Sequence, residues 1–414
     1  MRISVEAYGC TLNQGESRIM EELLERKGHE IVPPEEAQAS LIMTCCVIES
    51  TERKMLKRIR QLREGKMRVI VGGCMASTMK EKVAEIDPDA VFVSTANFLK
   101  VLEQIGRVEE SVPRVPVSEM KGKGSIDAIV PIGQGCTERC SYCITRLARG
   151  SLKSYPQELI VRIVARRIQE GCKEIRLTSQ DTAAYGRDID SSLPELLERV
   201  SSLGGEYRIR MGMANIANLL PILGETMKAF ESENIYKFLH VPVQSGDDEI
   251  LRRMRRRYSA EDFVKVCNVF RSNYPDSTLS TDIITGFPGE TDDHFLASIE
   301  LMERVRPDII NVTRFSPRKG TEAFNMEHRI QGWKSKERSR LLTKLRNEIA
   351  SERNESLIGS TFTVLTTERV KRGTTVGRTD SYKPIVLEGE LPLGRFFDVR
   401  VTSANEVYLI GEVE

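Results

Sequence analysis

The sequence predicts an α/β chain in three parts: an open parallel α/β domain at the N-terminus, a central partial (βα)6 barrel and a small C-terminal β-barrel. Three observations predict it. Apolar strand-like runs alternate with helical stretches over the first hundred residues, a second such series begins at Asp127, and short β segments with Gly-marked turns take over after Gly359. A length of 414 residues exceeds one ordinary core and suits two or three domains.

In the first series the strand-like runs fall at residues 3–8, 41–44, 68–71 and 90–93, with helical stretches at 17–27, 49–64 and 75–85. Such alternation builds a parallel sheet covered by helices, whose strands share one carboxyl edge where ligands bind. Cys10, Cys45 and Cys74 each follow one of the first three strands, so three thiols distant in sequence are expected to converge at that edge. Residues 107–126 carry Pro, Gly and charge without a period and read as a linker between domains at 1–106 and 127–355. The second series places strands at 128–132, 174–178, 207–211, 236–241, 278–284 and 309–315, six βα units rather than eight. Gln180, Asn215, Gln244, Asp282 and Arg314, at or just past strand ends, would line its mouth. A polar helical segment at 334–355 leads into residues 356–414, whose β runs suit a barrel of the oligonucleotide-binding kind.

Composition narrows the function. Lys and Arg total 61 against 60 Asp and Glu, a net charge of +1, so any nucleic-acid partner must be met by local patches. The first residues lack the apolar core of a signal peptide, no run reaches the length of a membrane span, and the last residues carry no hydrophobic tail; a cytoplasmic protein with no membrane partner is expected. Nine cysteines, an odd number widely spaced in a long chain, argue against a disulfide framework and for metal ligands or reactive thiols.

Cys136-Thr-Glu-Arg-Cys140-Ser-Tyr-Cys143 stands just after the first barrel strand. Thiolates at this spacing on a tight loop grip a soft metal centre. A structural zinc site is the plainer alternative, but zinc takes four closed ligands, and the four histidines, at 29, 240, 294 and 328, are all distant in sequence. Three cysteines on a four-iron cluster instead leave one iron open for a small chelating ligand.

This triplet on a partial barrel resembles the radical S-adenosylmethionine (radical SAM) superfamily. The string from Gly135-Cys136 through Cys143-Ile144 to Arg149-Gly150 and Ser154 is similar to its methylthiotransferase branch. Further similar strings are Leu177-Thr178-Ser179-Gln180-Asp181 with Tyr185-Gly186, His240-Val241-Pro242-Val243-Gln244-Ser245-Gly246, Thr281-Asp282-Ile283-Ile284-Thr285-Gly286-Phe287-Pro288-Gly289-Glu290, and Ser316-Pro317-Arg318-Lys319-Gly320-Thr321. The resemblance spans essentially the whole chain, including the three-cysteine N-terminal domain and a TRAM-type C-terminal barrel.

The resemblance implies two [4Fe-4S] clusters and S-adenosyl-L-methionine as cofactors. Cys136, Cys140 and Cys143 would hold the radical-generating cluster, whose unique iron S-adenosylmethionine chelates; one electron then cleaves a sulfonium C–S bond to give a 5′-deoxyadenosyl radical. Cys10, Cys45 and Cys74 would hold an auxiliary cluster that carries the sulfur to be delivered. Cys46 adjoins Cys45 and competes for its role, although the family's Thr-Cys string aligns on Cys45. Gln180, Asp282, Gly286 and Glu290 are candidate contacts to S-adenosylmethionine, with ordinary strand-end capping as the alternative. Cys172 and Cys267 have no evident partners and suit small core positions.

Arg252-Arg253-Met254-Arg255-Arg256-Arg257 is the densest basic run, either a solvated face or a set of phosphate contacts. Arg252, Arg253, Arg255, Arg256 and Arg257 are thus candidate RNA contacts, joined by Lys371, Arg372 and Arg378 in the C-terminal barrel, where Arg369 and Lys383 also mix with Tyr382, Phe396 and Phe397. Lys334, Lys336, Arg338, Arg340, Lys344 and Arg346 on one predicted helix extend that surface. Within the family, Arg208-Ile209-Arg210-Met211-Gly212-Met213-Ala214-Asn215 and Tyr8-Gly9-Cys10-Thr11-Leu12-Asn13 are similar to the archaeal and eukaryotic branch acting on threonylcarbamoyl-adenosine. The implied activity is methylthiolation of N6-threonylcarbamoyladenosine beside the anticodon of tRNA, with an electron donor and a sulfur source as further partners. Isopentenyl-adenosine in tRNA and an aspartate of a small-subunit ribosomal protein are the other substrates of this chemistry. A non-catalytic metal-binding RNA-binding protein is the reading from another class. The oligomeric state is left open.

Overall fold

A computed structural model describes residues 1–47, 49–93, 125–371 and 373–414, so the linker read at 107–126 lies almost wholly outside the described residues. The first alternating series forms a parallel sheet. Its strands β1 (Arg2–Ala7), β2 (Glu30–Ile31), β3 (Ala39–Thr44), β4 (Arg68–Gly73) and β5 (Val91–Val93) stand in the order β2-β1-β3-β4-β5. Every residue of β3 is buried, as a central strand covered on both faces must be. On one face Met20 and Leu24 of helix Thr11–Arg26 meet Ile3 and Leu41; on the other Met55, Ile59 and Leu62 of helix Glu49–Glu64 meet Ile42, Val69 and Val71. The two-residue β2 is too short to show as an apolar run. The helix expected over 75–85 breaks at Met79 (φ −137°) into Met75–Thr78 and Lys80–Ala84.

The central region contributes β6 (Asp127–Pro131), a short hairpin of β7 (Gly133–Gln134) and β8 (Lys153–Ser154), then β9 (Glu174–Thr178), β10 (Arg208–Met211), β11 (Phe238–His240), β12 (Thr278–Thr285) and β13 (Ile309–Arg314). One parallel sheet holds β6, β9 and β10, another β11, β12 and β13, and a bridge between Ile209 and Ile235 joins them. Six parallel strands therefore run in sequence order around a barrel that does not close. The hairpin pairs Gly133 with Ser154 and so ties off the loop that carries the cysteine triplet.

The C-terminal strands β14 (Thr361–Lys371), β15 (Thr374–Thr379), β16 (Pro384–Glu388), β17 (Phe396–Ala404) and β18 (Leu409–Val413) close into a barrel around Val364, Ile385, Leu387, Val399, Val401 and Leu409. This barrel docks on the amino ends of the central strands. Lys237 N, just before β11, donates to Asp380 O (2.8 Å), and Arg208 Nε at the start of β10 donates to Asp380 Oδ1 (2.9 Å). Tyr382 packs its ring against Tyr236 and Phe238 at centroid distances of 4.9 and 5.2 Å. The sequence placed Tyr382 and Lys383 on an RNA-facing surface; both are interface residues, because a half-built hydrophobic patch at the barrel base needs an aromatic lid and Asp308 needs a cation. Among the described residues no helix is long and apolar enough to cross a membrane.

Asp308, just before β13, holds this junction. Its side chain is almost fully buried and accepts from Lys383 Nζ (2.8 Å), Arg353 Nε (2.7 Å) and Leu279 N (3.0 Å). Burial pushes its pKa up, but Lys383 and Arg353 together outweigh that and hold it below the ordinary carboxylate value. Its contribution to stability is therefore complete above the unfolded value of about 3.9 and is lost as pH falls through the lower folded value. Asp308→Ala strands the buried Lys383 ammonium and should cost about 3–5 kcal/mol, seen as a lower urea midpoint and as proteolytic release of the C-terminal barrel.

Candidate functional site

The N-terminal thiols are brought together at the carboxyl edge of the first sheet, where β1, β3 and β4 end. Gly9 (φ +107°) lets the chain turn there; a Cβ on it would fall 2.5 Å from Cys45 Cβ. Thr44 O accepts from Cys74 N (3.0 Å) and Thr44 Oγ1 from Met75 N (3.2 Å), which stitches the Cys45 and Cys74 loops together. Asn13, three residues after Cys10, donates through Nδ2 to Tyr8 O (3.1 Å) and to Thr44 O (3.0 Å), clamping the Cys10 and Cys45 loops. Burial pushes the Cys45 thiol up to about 11, with Cys74 and Cys10 beside it adding to the rise. Cys10 in turn feels Cys74, so the three thiols share one electrostatic neighbourhood. Cys46 is fully buried, accepts from Thr78 Oγ1 (3.6 Å), and lies beside Cys74. The neighbouring Cys46 thiol comes first among the causes that draw the Cys74 thiol below the ordinary thiol range, with burial opposing it and Arg149 reinforcing it.

Arg149 connects this edge to the central barrel. It lies six residues beyond Cys143, at the end of helix Thr145–Arg149, and its side chain is 1% exposed. Nη1 donates to Glu16 Oε1 (2.5 Å), and Nη2 donates to Glu16 Oε2 (2.9 Å) and Asn13 Oδ1 (2.5 Å). One guanidinium thus touches the residue that clamps two N-terminal loops and lies beside the Cys74 thiol, while its own helix continues the triplet loop. Neither Asn13 nor Arg149 stood among the sequence-derived site residues. Both lay inside quoted strings, but their pairing across 136 residues is a tertiary fact.

Cys136, Cys140 and Cys143 all remain partly accessible. Burial pushes the Cys136 thiol up to about 12; Asp181, Cys143 and Cys140 add to this, and the Glu138 N–H (3.4 Å from Sγ) opposes it. Glu138 in the loop is itself buried and is gripped by Arg257, whose Nε donates to Oε2 at 3.1 Å, and by Asn218 Nδ2 at 3.4 Å. Tyr142 in the same loop accepts from Arg256, whose guanidinium lies over the rings of Tyr142 (5.6 Å) and Tyr258 (5.7 Å). Arg253 packs against Gly289, and Arg255 pairs with Glu322 at 2.6 Å. Of the basic run, Arg256 and Arg257 brace the triplet loop and Arg253 packs against Gly289, while Arg252, Arg255 and Arg257 keep largely exposed side chains. Carboxylates and aromatic rings engage Arg255, Arg256 and Arg257, so the run is not simply a free basic face. In the C-terminal barrel Arg378 lies over Tyr382 (5.0 Å) and bonds Glu368 (3.2 Å); the Lys371 side chain and Arg372 lie outside the described residues.

At the barrel mouth Asp282 Oδ1 accepts from Asn311 Nδ2 (2.8 Å) and meets His240 Nε2 (3.0 Å). Burial raises the Asp282 pKa, and His240 outweighs it, so the carboxyl stays below its usual range. Gln180 keeps a buried Oε1 that has no partner among the described residues, an acceptor left over for a ligand. Its neighbour Asp181, which burial raises to about 6, bonds Asn215 N (2.9 Å) and Asn218 Nδ2 (2.7 Å). Glu290 behaves otherwise than expected. Its Oε2 accepts from Gly286 N (2.8 Å) and Arg338 Nη1 (2.5 Å) in a buried ion pair, so Gly286 and Glu290 lock the β12 turn to helix Gly332–Glu355.

The donor sets suit clusters: each trio of thiols can take three irons of a cube and leave the fourth open to a further ligand. Burial that disfavours a bare thiolate favours one neutralised by iron. Between the two thiol loops lies a cavity of about 100 Å³ lined by Val47, Cys143, Ile144, Ile284, Phe315 and Arg318. Arg318 is buried there against Glu52 and donates from Nε to Val47 O (3.2 Å), a second tie between the domains.

Comparison with known proteins is consistent from end to end. Residues 130–302 match the radical SAM superfamily, residues 2–94 the uncharacterized protein family UPF0004, and residues 355–413 the TRAM domain. A probable threonylcarbamoyladenosine tRNA methylthiotransferase of Archaeoglobus fulgidus is 41% identical over 100% of this chain and 99% of its own. One of Pyrococcus horikoshii is also 41% identical with the same coverage. The threonylcarbamoyladenosine tRNA methylthiotransferase of Drosophila melanogaster is 35% identical over 100% of this chain and 77% of its own. Among solved structures, the radical S-adenosylmethionine methyltransferase TsrM of Kitasatospora setae shares the fold at a TM-score of 0.53, 14% identity, and coverage of 75% of this chain and 72% of that one.

Replacing Arg149 tests the junction. Arg149→Ala leaves Glu16 charged and buried without its partner and should destabilise the chain by about 3–5 kcal/mol, read from the urea midpoint, whereas Arg304→Ala, in an exposed pair with Glu261, should change it by less than about 1 kcal/mol.

Proposed function

The chain belongs to the threonylcarbamoyladenosine tRNA methylthiotransferase family, and from that premise we propose that it converts N6-threonylcarbamoyladenosine beside the anticodon of tRNA to its 2-methylthio derivative. The observation that carries this reading is the meeting of two thiol trios at the facing edges of two α/β units, joined through Arg149. It is a radical SAM enzyme that uses [4Fe-4S] clusters and S-adenosylmethionine. When bound, these groups supply one-electron cleavage of a sulfonium C–S bond and an open iron that holds the sulfur to be transferred.

The residue assignments are ours. Cys136, Cys140 and Cys143 are proposed as ligands of the radical-generating cluster, and Cys10, Cys45 and Cys74 as ligands of the auxiliary one. Cys45 is preferred to Cys46 because the family's Thr-Cys string aligns on it and because both Cys10 and Cys74 lie beside its thiol. Arg256, Arg257 and Asn218 would hold the triplet loop in place, and Asn13 and Arg149 would set the auxiliary edge against it. Gln180 and Asp282 are proposed contacts to S-adenosylmethionine, supported by the orphaned Gln180 acceptor and by the fixed orientation of Asp282 between His240 and Asn311. Val47, Ile284 and Phe315 line an apolar chamber that would exclude water from the radical step. A functional division at 1–106, 127–355 and 356–414, a cytoplasmic location, and partners that supply an electron and a sulfur atom belong to the same proposal.

Nucleoside mass spectrometry of bulk tRNA from cells with and without the gene tests the reading. The methylthio group should be lost from threonylcarbamoyladenosine alone; loss from isopentenyl-adenosine or from a ribosomal protein would overturn it. Reconstituted protein should carry about eight irons, and stoichiometric zinc would reject the clusters. Cys136→Ala should abolish both S-adenosylmethionine cleavage and modification. Cys74→Ala should keep cleavage and lose the methylthio product, so retained product would contradict its role.

A further inference from the structure

Helix Gly332–Glu355 links the two places where a tRNA must be held. Near its start Ser335 Oγ donates to Thr285 O (3.4 Å), and Arg338 pairs with Glu290, so this end stands at the carboxyl ends of the central strands. Near its end Arg353 pairs with Asp308, and Asn354 Nδ2 donates to Asn405 O (2.8 Å) of the C-terminal barrel. Its 24 residues, rising 1.5 Å each, span about 36 Å from mouth to base. Ser335, Arg338, Leu342 and Ile349 are buried along one face. Positions 333, 336, 340 and 344 recur at helical spacing on the opposite one.

That outer face is made of Trp333, Lys336, Arg340 and Lys344. Trp333 is the only tryptophan of the chain and is 64% exposed. Lys336 and Arg340 are exposed and form no ion pair among the described residues, and Lys344 lies 3.7 Å from Glu348 with most of its side chain in solvent. Glu337 is the acidic neighbour on the near side, and Leu341 lies beside Arg340, 52% exposed. Trp333 follows Gly332 at the rim of a cavity of about 690 Å³ whose lining includes Arg53, Arg314 and Arg329. Cations four residues apart step about 6 Å along the helix, a pitch at which a row of them can follow a polyanion backbone. An exposed indole at the head of such a row offers a stacking surface for an unpaired base.

We infer that this face is a rail for the anticodon arm of the tRNA: Lys336, Arg340 and Lys344 contact successive phosphates, and Trp333 stacks on an unpaired base next to the one that is modified. The inference rests on the functional reading above and adds the path by which RNA held at the C-terminal barrel reaches the mouth. Lone exposed apolar residues are common on protein surfaces. What marks this one is its position at the head of a cationic row on the helix whose far end reaches the other RNA-binding module.

Because Trp333 is the sole indole, it reports on itself. Full-length reconstituted enzyme is titrated with tRNA while binding is followed in parallel by gel shift. Tryptophan emission should change in step with occupancy, and Trp333→Ala should weaken binding about tenfold, with Trp333→Phe largely restoring it. The triple variant K336A/R340A/K344A should flatten the slope of log K against log salt by about 2–3. Unchanged emission and unchanged salt slope with tRNA demonstrably bound would overturn the rail and leave the functional reading intact. Absence of any gel shift would overturn that reading and the rail with it.

Discussion

A single buried guanidinium sets the relation between the two halves of the site. Arg149 grows out of the triplet loop and ends in the N-terminal domain, where Glu16 and Asn13 take its donors and Cys74 lies within its field. A charge withdrawn from water in this way persists only if nearly every donor is answered. The surroundings are therefore over-determined, and Asn13 cannot move without releasing the carbonyls of Tyr8 and Thr44 that it clamps. The distance between the thiol loops follows from that constraint rather than from either domain alone.

The same device recurs at each junction of the chain. Glu52 receives both Arg318 and Lys82, Glu290 receives Arg338, and Asp308 receives Lys383 and Arg353. Each is a carboxylate on one element answered by a cation on another, buried deeply enough that separating them would strand a charge. Such pairs contribute modestly to net stability but strongly disfavour alternative dockings. Among the described residues Arg149, Arg167, Arg318 and Arg338 are the arginines withdrawn from solvent in this way.

The chemistry of the thiols follows from the same burial. Cys45 and Cys136 are raised because water is kept away from them, which is also what a short-lived radical requires of its surroundings. A small cavity lined by Val47, Ile284 and Phe315 together with Arg314 and Arg318 lies between the loops, and the hydrogen-bonded Asp282–His240–Asn311 group stands at the mouth. Positioning and exclusion of water are what the protein contributes to a reaction whose reactive power lies in its cofactors.

The three-part architecture, the six-stranded open barrel and the convergence of Cys10, Cys45 and Cys74 were legible in the sequence, because strand–helix alternation and the rule that parallel strands end on one edge are properties of local pattern. The short β2, the β7–β8 hairpin and the break at Met79 were not, since two-residue strands and a single non-helical residue leave no periodic trace. The roles of the charged residues belonged to the tertiary structure entirely. Six consecutive letters containing five arginines look alike in sequence, yet Arg256 lies over Tyr142, Arg257 grips Glu138 and Arg255 takes Glu322. Which charge meets which is decided by elements a hundred residues apart, and a local pattern carries no information about partners that only folding brings within reach.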